Sequence, residues 1–166
     1  MPSCEESILE GLRQASVRLV ASVPDINLSR LLTLCEEASD IQHVPLGREE
    51  EGVGVCAGAY LGGKRSALIM QNGGLLNSCN ALTTTCIQFE IPVLLLIWYG
   101  GDLGDRFFQR LGEVTEPVLR GLNIRSYVLR EPERVASTVS AAAKLADASR
   151  RPVACLLTRD VMGSYR

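Results

Sequence analysis

The chain predicts a doubly wound α/β domain, built on a mainly parallel six-stranded sheet with helices on both faces. Short strand-like runs alternate with helix-like segments from one end of the sequence to the other. The strongest of these runs, PVLLLIW at 92–98, has no polar interruption, which suits a parallel strand covered on both sides. The 166 residues, 46% of them apolar, suffice for one domain with a real core, and no linker, repeat or low-complexity stretch divides 1–166.

Ser3 and Glu6 have capping-box spacing ahead of Ile8, Leu9 and Leu12, which share one helical face, so a helix is predicted over 3–15. VRLVASV (17–23) alternates like a strand and stops at Pro24-Asp25. A helix opened by Asn27 follows over 27–38, then a short strand, IQHVPL, at 41–46. The segment GREEEGVGVCAGAYLGG supplies a third helix, and RSALIMQ (65–71) a buried strand. A helix is predicted over 75–88 despite its β-branched threonines. After PVLLLIW come a polar, glycine-bearing loop (99–113), a short helix (114–122) and a strand (124–129). A helix over 131–150, with Pro132 in its first turn, precedes the last strand, PVACLLT, at 152–158.

A formal charge of -2 and the lack of a Lys/Arg block give no reason to expect nucleic acid. The longest apolar run is too short to span a bilayer, and the acidic, amphipathic start does not resemble a signal peptide. A soluble, cytoplasmic protein is expected, with no membrane partner. The six cysteines include no C-x-x-C pair and have a single histidine, His43, to join them. They are read as small buried hydrophobes, and no metal site is expected in this chain. His43 lies in a strand without a visible nucleophile and is read as structural. Two other leads fail: GVGVCAG is not G-x-G-x-x-G, and no G-x-x-x-x-G-K-[ST] loop exists.

In such sheets ligands gather at the carboxyl ends of the strands, where SVPDIN, MQNGGLLN and YGGDLGD provide polar or glycine-rich loops. Glu49, Glu50 and Glu51 open the third helix and, about 100° apart, point in different directions. Glu50 shares a face with Gly54, Ala57 and Leu61, a face so slight that another surface could approach the backbone closely. A carboxylate aimed into that contact would be desolvated and hold its proton more readily. Acidic residues in a first turn also complement the helix dipole, which accounts for Glu49 and Glu51 but not for the glycines behind Glu50. In QNGGLLN, Gly73 and Gly74 permit either an ordinary tight turn or close approach by a ligand, and the amides of Gln71, Asn72 and Asn77 could bond a polar ligand. Asp25 and Asn27 follow the first strand, and Asp25 fits either a helix cap or a site acid. Arg106 and Arg110 are candidates for binding an anion but fit solvated surface as well.

Together these segments resemble the pyrimidine-binding domain of thiamine diphosphate-dependent 2-oxoacid decarboxylases, above all the chains that act on 3-sulfopyruvate or 3-phosphonopyruvate. REEEGVGVCAGAY matches the family pattern of Glu followed by Gly, small residues and Tyr, with Glu50 at the catalytic position. VPDINL resembles the entrance loop, where many such decarboxylases carry an acid. QNGGLLN is similar to a Q-N-S-G-x-G-N turn, with Gly73 in place of the serine and Leu76 in place of the second glycine. The resemblance implies that Glu50 bonds a ring nitrogen of the aminopyrimidine and that Asp25 relays a proton. It also implies that Gly73, Gly74 and Asn77 line the cofactor, with Asn27, Gln71 and Asn72 towards a small anionic 2-oxoacid. The family's diphosphate-binding domain carries G-D-G followed by asparagine, which positions Mg2+. Here Gly101 and Asp102 are followed by Leu103. A β subunit that holds the diphosphate and Mg2+ is therefore expected, in a homo- or hetero-oligomer. The competing expectation is a non-catalytic domain of the same fold that regulates a partner.

Overall fold

The computed structural model of the chain describes residues 2–163. In chain order the elements are α1 (Cys4–Gln14), β1 (Val17–Ser22), α2 (Ser29–Glu37), β2 (Gln42–Pro45), α3 (Glu49–Leu61) and β3 (Arg65–Gln71). Then come α4 (Asn72–Ala81), running on into a π-helical turn (Leu82–Ile87), β4 (Leu94–Trp98), α5 (Gln109–Gly121) and β5 (Arg125–Leu129). A 3-10 turn (Pro132–Arg134), α6 (Val135–Ser149), β6 (Val153–Leu157) and α7 (Arg159–Met162) complete the described chain.

All six strands join one sheet in the order β2-β1-β3-β4-β6-β5, and every pairing is parallel. Every strand therefore ends at the same edge. Strand side chains alternate between two cores, as a period of two requires. Ala67, Ile69, Leu94, Leu96 and Trp98 pack under α1, α2, α6 and α7, whereas Leu68, Met70, Leu95 and Ile97 pack under α3, α4 and α5. In β1 the alternation slips once. Val17 and Val20 share a face, and the register with β3 shifts between Val17 and Leu19. All six cysteines are free; burial pushes the thiols of Cys35, Cys56, Cys86 and Cys155 up to about 12.

Several element boundaries differ from those expected. Asn27 does not open α2: its N–H goes to Asp25 Oδ1 at 2.7 Å, and the helix begins at Ser29. That bond closes a local turn around Asp25, which consequently is not a helix cap. α4 starts at Asn72, directly after β3, so Gly73 and Gly74 lie inside its first turn and not in a connecting loop. The threonines expected to be ordinary helix residues follow α4 in the π turn. Thr83 and Thr84 donate to the carbonyls of Cys79 and Asn80 at 2.8 and 2.9 Å, back-bonds that disturb regular helix spacing. α5 starts at Gln109, a turn before the expected 114, and carries Pro117 on its exposed side within the helix. The proline signals a helix start in sequence, but here it costs only one backbone bond near solvent.

Candidate active site at the carboxyl edge

The three glutamates at the start of α3 have three different surroundings. Glu51 Oε2 accepts from the N–H groups of Gly47 and Arg48 at 3.2 and 3.1 Å, so this carboxylate closes the helix end. Glu49 lies on the face of Val53 and Cys56, both fully buried, and its side chain rests on Gly74 of α4. A Cβ on Gly74 would sit 2.7 Å from Glu49 Cδ, so the Glu49 side chain lies where it does only because residue 74 is glycine. Glu50 projects beside that contact with its side chain 40% exposed, and Arg48 Nε stands 3.2 Å from Oε1. No other described residue engages its carboxylate.

The small-residue face behind Glu50 is open only in part. Ala57 turns inward and is buried, while Gly54, Gly58 and Leu61 face outward. A Cβ at Gly54 or Gly58 would meet nothing within 4 Å, so neither glycine answers a contact within the chain. Gly52 does: its Cβ would come 2.6 Å from Leu46 Cδ1 and also strike Leu68. From Gly52 to Gly63, and again from Ser66 to Phe89, there is no charged residue. Beyond the first turn of α3, the outer side of α3, α4 and the π turn is thus exposed but uncharged, with Asn77, Asn80, Thr83 and Thr84 alongside the glycines. Depletion of charge marks the centres of protein interfaces.

Gln71 ends β3 half-buried, Gly73 is half-buried and Asn77 is exposed one turn on. Asn72, expected to meet a substrate, is fully buried and engaged within the fold. Its Nδ2 donates to Gly100 O at 2.7 Å and to Thr115 Oγ1 at 2.9 Å, tying β3, the loop after β4 and α5 together. Its Oδ1 has no partner among the described residues.

The loop after β4 is held from within. Gly101, at φ +83°, lies backbone to backbone on Gly112, and Asp105 accepts from the N–H groups of Gly101 and Phe107 at 2.9 and 2.8 Å. Burial alone would raise the Asp105 carboxyl, but those bonds and Arg159, at 3.6 Å, hold it below the usual carboxylate range. Arg130 bridges Asp102 at 2.8 Å and Asp160 at 3.2 Å, and its hydrogen bonds lower the Asp102 carboxyl. From this braced loop Leu103 and Phe107 project 77% and 85% exposed. Arg110 pairs with Glu113 at 2.9 Å, whereas Arg106 has no carboxylate partner among the described residues.

Asp25 lies on the other side of the sheet edge, in an open cleft of about 270 Å³ lined also by Ser22, Ser29, Glu36 and His43. Glu50 does not line this cleft. His43 does have a hydroxyl partner, with Ser22 Oγ 2.8 Å from its Nε2, and burial lowers its pKa. No group of three or more His, Cys, Asp or Glu side chains able to hold a metal ion exists among the described residues. None of the described helices is long and apolar enough to cross a membrane.

The family model described as "Thiamine pyrophosphate enzyme, N-terminal TPP binding domain" matches residues 3–98, more than half of the chain. The chain belongs to the thiamine pyrophosphate enzyme family. Within it, the chain is 37% identical over 157 residues to the sulfopyruvate decarboxylase subunit alpha of Methanococcus maripaludis, covering 93% of this chain and 94% of that one. It is 38% identical over 152 residues to the subunit of the same name from Methanocaldococcus jannaschii, covering 90% of each. Phosphonopyruvate decarboxylase of Streptomyces viridochromogenes is a more distant relative, 31% identical over 60% of this chain and 25% of its own length. Among solved structures, 2-oxoglutarate:ferredoxin oxidoreductase from Magnetococcus marinus aligns with a TM-score of 0.74 at 15% identity, over 97% of this chain and 29% of that one. That likeness concerns the fold alone. The family residues 3–98 take in β1 to β4, and so the Asp25 loop, the Glu50 helix and the Asn72 turn.

The structural roles of Glu49, Thr115, Asp105 and Arg159 escaped the sequence reading, which gave Glu49 to the helix dipole alone. Glu49 was readable, since Val53 and Cys56 follow it at four and seven residues on an apolar face. The Asn72–Thr115 and Asp105–Arg159 pairs span 43 and 54 positions and leave no local pattern.

Proposed function

We propose that the chain is the pyrimidine-activating subunit of a thiamine diphosphate-dependent decarboxylase that converts 3-sulfopyruvate to sulfoacetaldehyde and carbon dioxide. The observation that carries this is Glu50: a partly open carboxylate in the first turn of α3, at the carboxyl edge, with an uncharged and uncovered helix face behind it. Its free oxygen suits the protonated nitrogen of a flat heteroaromatic ring, so the residues present fit the pyrimidine end of the cofactor. When bound, thiamine diphosphate supplies the electron sink for loss of carbon dioxide.

Glu50 shares a proton with the pyrimidine nitrogen through its carboxylate, and Arg48 keeps that carboxylate oriented beforehand. Gly74 seats Glu49 and thereby fixes the first turn of α3, while Gly73 and Asn77 offer open backbone and an amide towards the cofactor. Asn27 and Gln71 present amides to the substrate. Asp25 moves protons on the substrate side through Oδ2, the oxygen that Asn27 leaves free. Asn72 acts on the site as a positioning residue, through Gly100. The diphosphate and Mg2+ are assigned to a β subunit, which covers the uncharged α3–α4 face in a cytoplasmic hetero-oligomer and excludes water. The rigid, apolar tip at Leu103 and Phe107 supports such a contact.

The test is co-expression with a chain that carries the family's G-D-G domain, followed by decarboxylation assays on 3-sulfopyruvate and 3-phosphonopyruvate. Turnover is expected on the sulfonate, and Glu50→Gln is expected to lower it by at least about a hundredfold without loss of association. Near-normal turnover by the Glu50 variant would sink the assignment.

A further inference from the structure

β5 is an edge of the sheet and pairs with β6 only. The opposite edge, β2, is protected: it is four residues long and ends in Pro45, which has no N–H to offer. β5 is five residues long. Its sequence RSYVL contains no proline, and Tyr127 and Val128 are 40% and 37% exposed. Leu129 turns into the core beneath α6, so Arg125 and Tyr127, at even spacing from it, project on the α6 side. Ser126, Val128 and Arg130 project on the α5 side. Beside Tyr127 an open groove of about 510 Å³ runs along α6 over Ser137, Thr138 and Ala141, lined also by Arg134 and Leu145.

We propose that β5 pairs antiparallel with β5 of a second copy of this chain, in the register centred on Val128. Residues directly opposite in an antiparallel pair share a sheet face. This register sets Val128 against Val128, Tyr127 against Leu129, and Arg125 against Glu131 on the α6 side. The two-fold axis repeats the Arg125–Glu131 pair at the other end of the contact. Each partner of that pair is available. Arg125 is exposed and has no carboxylate partner among the described residues. Glu131 keeps an extended backbone, at φ -106° and ψ 106°, just beyond the strand. Its ion pair with Arg134, 3.6 Å from Oε2 between exposed side chains, leaves Oε1 free among the described residues for an incoming Arg125.

Neighbouring registers lack this match. Centring on Tyr127 sets Arg125 against the buried Leu129. Centring on Leu129 sets Arg125 against Glu133, which lies in the 3-10 turn and is not available to a ladder. Antiparallel pairing also turns the carboxyl edge of the second copy the opposite way, so both Glu50 sites stay uncovered. The inference therefore stands whether or not the proposed reaction is the right one.

Sedimentation velocity on the purified full chain tests it, with circular dichroism to verify the fold of each variant. The wild-type chain is expected to be a dimer. Arg125→Glu and Glu131→Arg, each alone, set like charges together and should weaken the dimer at least about tenfold. The double exchange Arg125→Glu/Glu131→Arg should restore it to within about threefold of wild type. Val128→Cys, which faces its own copy across the axis, should form a disulfide-linked dimer on mild oxidation, above the level given by the native thiols. A monomeric wild type, a dimer indifferent to either charge reversal, a double variant that stays monomeric, or a Val128→Cys chain that does not cross-link overturns the proposal.

Discussion

The side chain of Glu49 lies across the α-carbon of Gly74, so the first turns of α3 and α4 are locked where they cross. Gly73, one position earlier, is not constrained in this way; a Cβ there would find ordinary contacts at 3.5 and 3.6 Å. The two adjacent glycines should therefore respond oppositely to the same change. Gly74→Ala forces Glu49 aside and should destabilise the chain by about 1–3 kcal/mol. Gly73→Ala, inside a helix, should be neutral or stabilising by up to about 1 kcal/mol. Urea unfolding of the two variants checks this, and equal losses would count against the locked crossing.

The neighbouring glutamates separate stability from chemistry. Glu51→Ala removes the acceptor for two backbone N–H groups and should lower stability by about 0.5–2 kcal/mol. Glu50→Gln should leave the unfolding midpoint nearly unchanged, because its exposed pair with Arg48 contributes little. The same unfolding curves, set beside turnover in the assembled enzyme, give the comparison.

Asn72→Ala should unlatch the loop after β4. It leaves Gly100 O and Thr115 Oγ1 without their buried donor, at a cost of about 1–3 kcal/mol. Asn72→Asp should be at least as harmful, since a carboxylate cannot donate to either oxygen. Hydrogen exchange at Gly101 to Phe108 should quicken in both variants, and an unchanged loop would show that Asn72 does not hold it.

Acid should loosen the β1–β2 edge before it reaches the loop carboxylates. Burial lowers the pKa of His43 from its ordinary 6.5, outweighing the opposite pull of Glu36. The folded chain thus takes up this proton at lower pH than the unfolded chain does. The stabilisation is fully present above about pH 6.5 and is lost as pH falls through the folded value. Asp102 and Asp105 are held below 3.8, so their contributions disappear only at lower pH. Denaturation between about pH 8 and about pH 5 should show a decline that His43→Gln flattens.

Sequence periodicity carried the architecture, because strand and helix periods are local properties. The order of β1 to β6 along the chain and the two apolar faces of β3 and β4 were legible for that reason. Helix starts were less so. The Asp25–Asn27 bond delays α2, and a Gly-Gly pair that reads as a turn lies inside α4 because a partner helix needs the room. At the site, Glu50 was singled out from its neighbours in one helix. The burial of Asn72 was not legible, because an amide bound for solvent and one bound for a buried carbonyl look alike in one dimension. The small face behind Glu50 also proved mixed: Gly52 and Ala57 serve the core, whereas Gly54 and Gly58 touch nothing in this chain.

The Glu49–Gly74 crossing has a consequence for how the molecule breathes. α3 is clamped at its first turn, but its last turn runs out through exposed Leu61 and Gly62 into Gly63, which at φ +80° has no atom within 4 Å of its would-be Cβ. Local opening of α3 should therefore start at the amino edge of the sheet and die out towards Glu50. Amide protons at residues 60–63 should exchange well before those at 52–56, whichever partner is present. Such a helix can absorb the jostling of assembly at its far end while the carboxylate end keeps still.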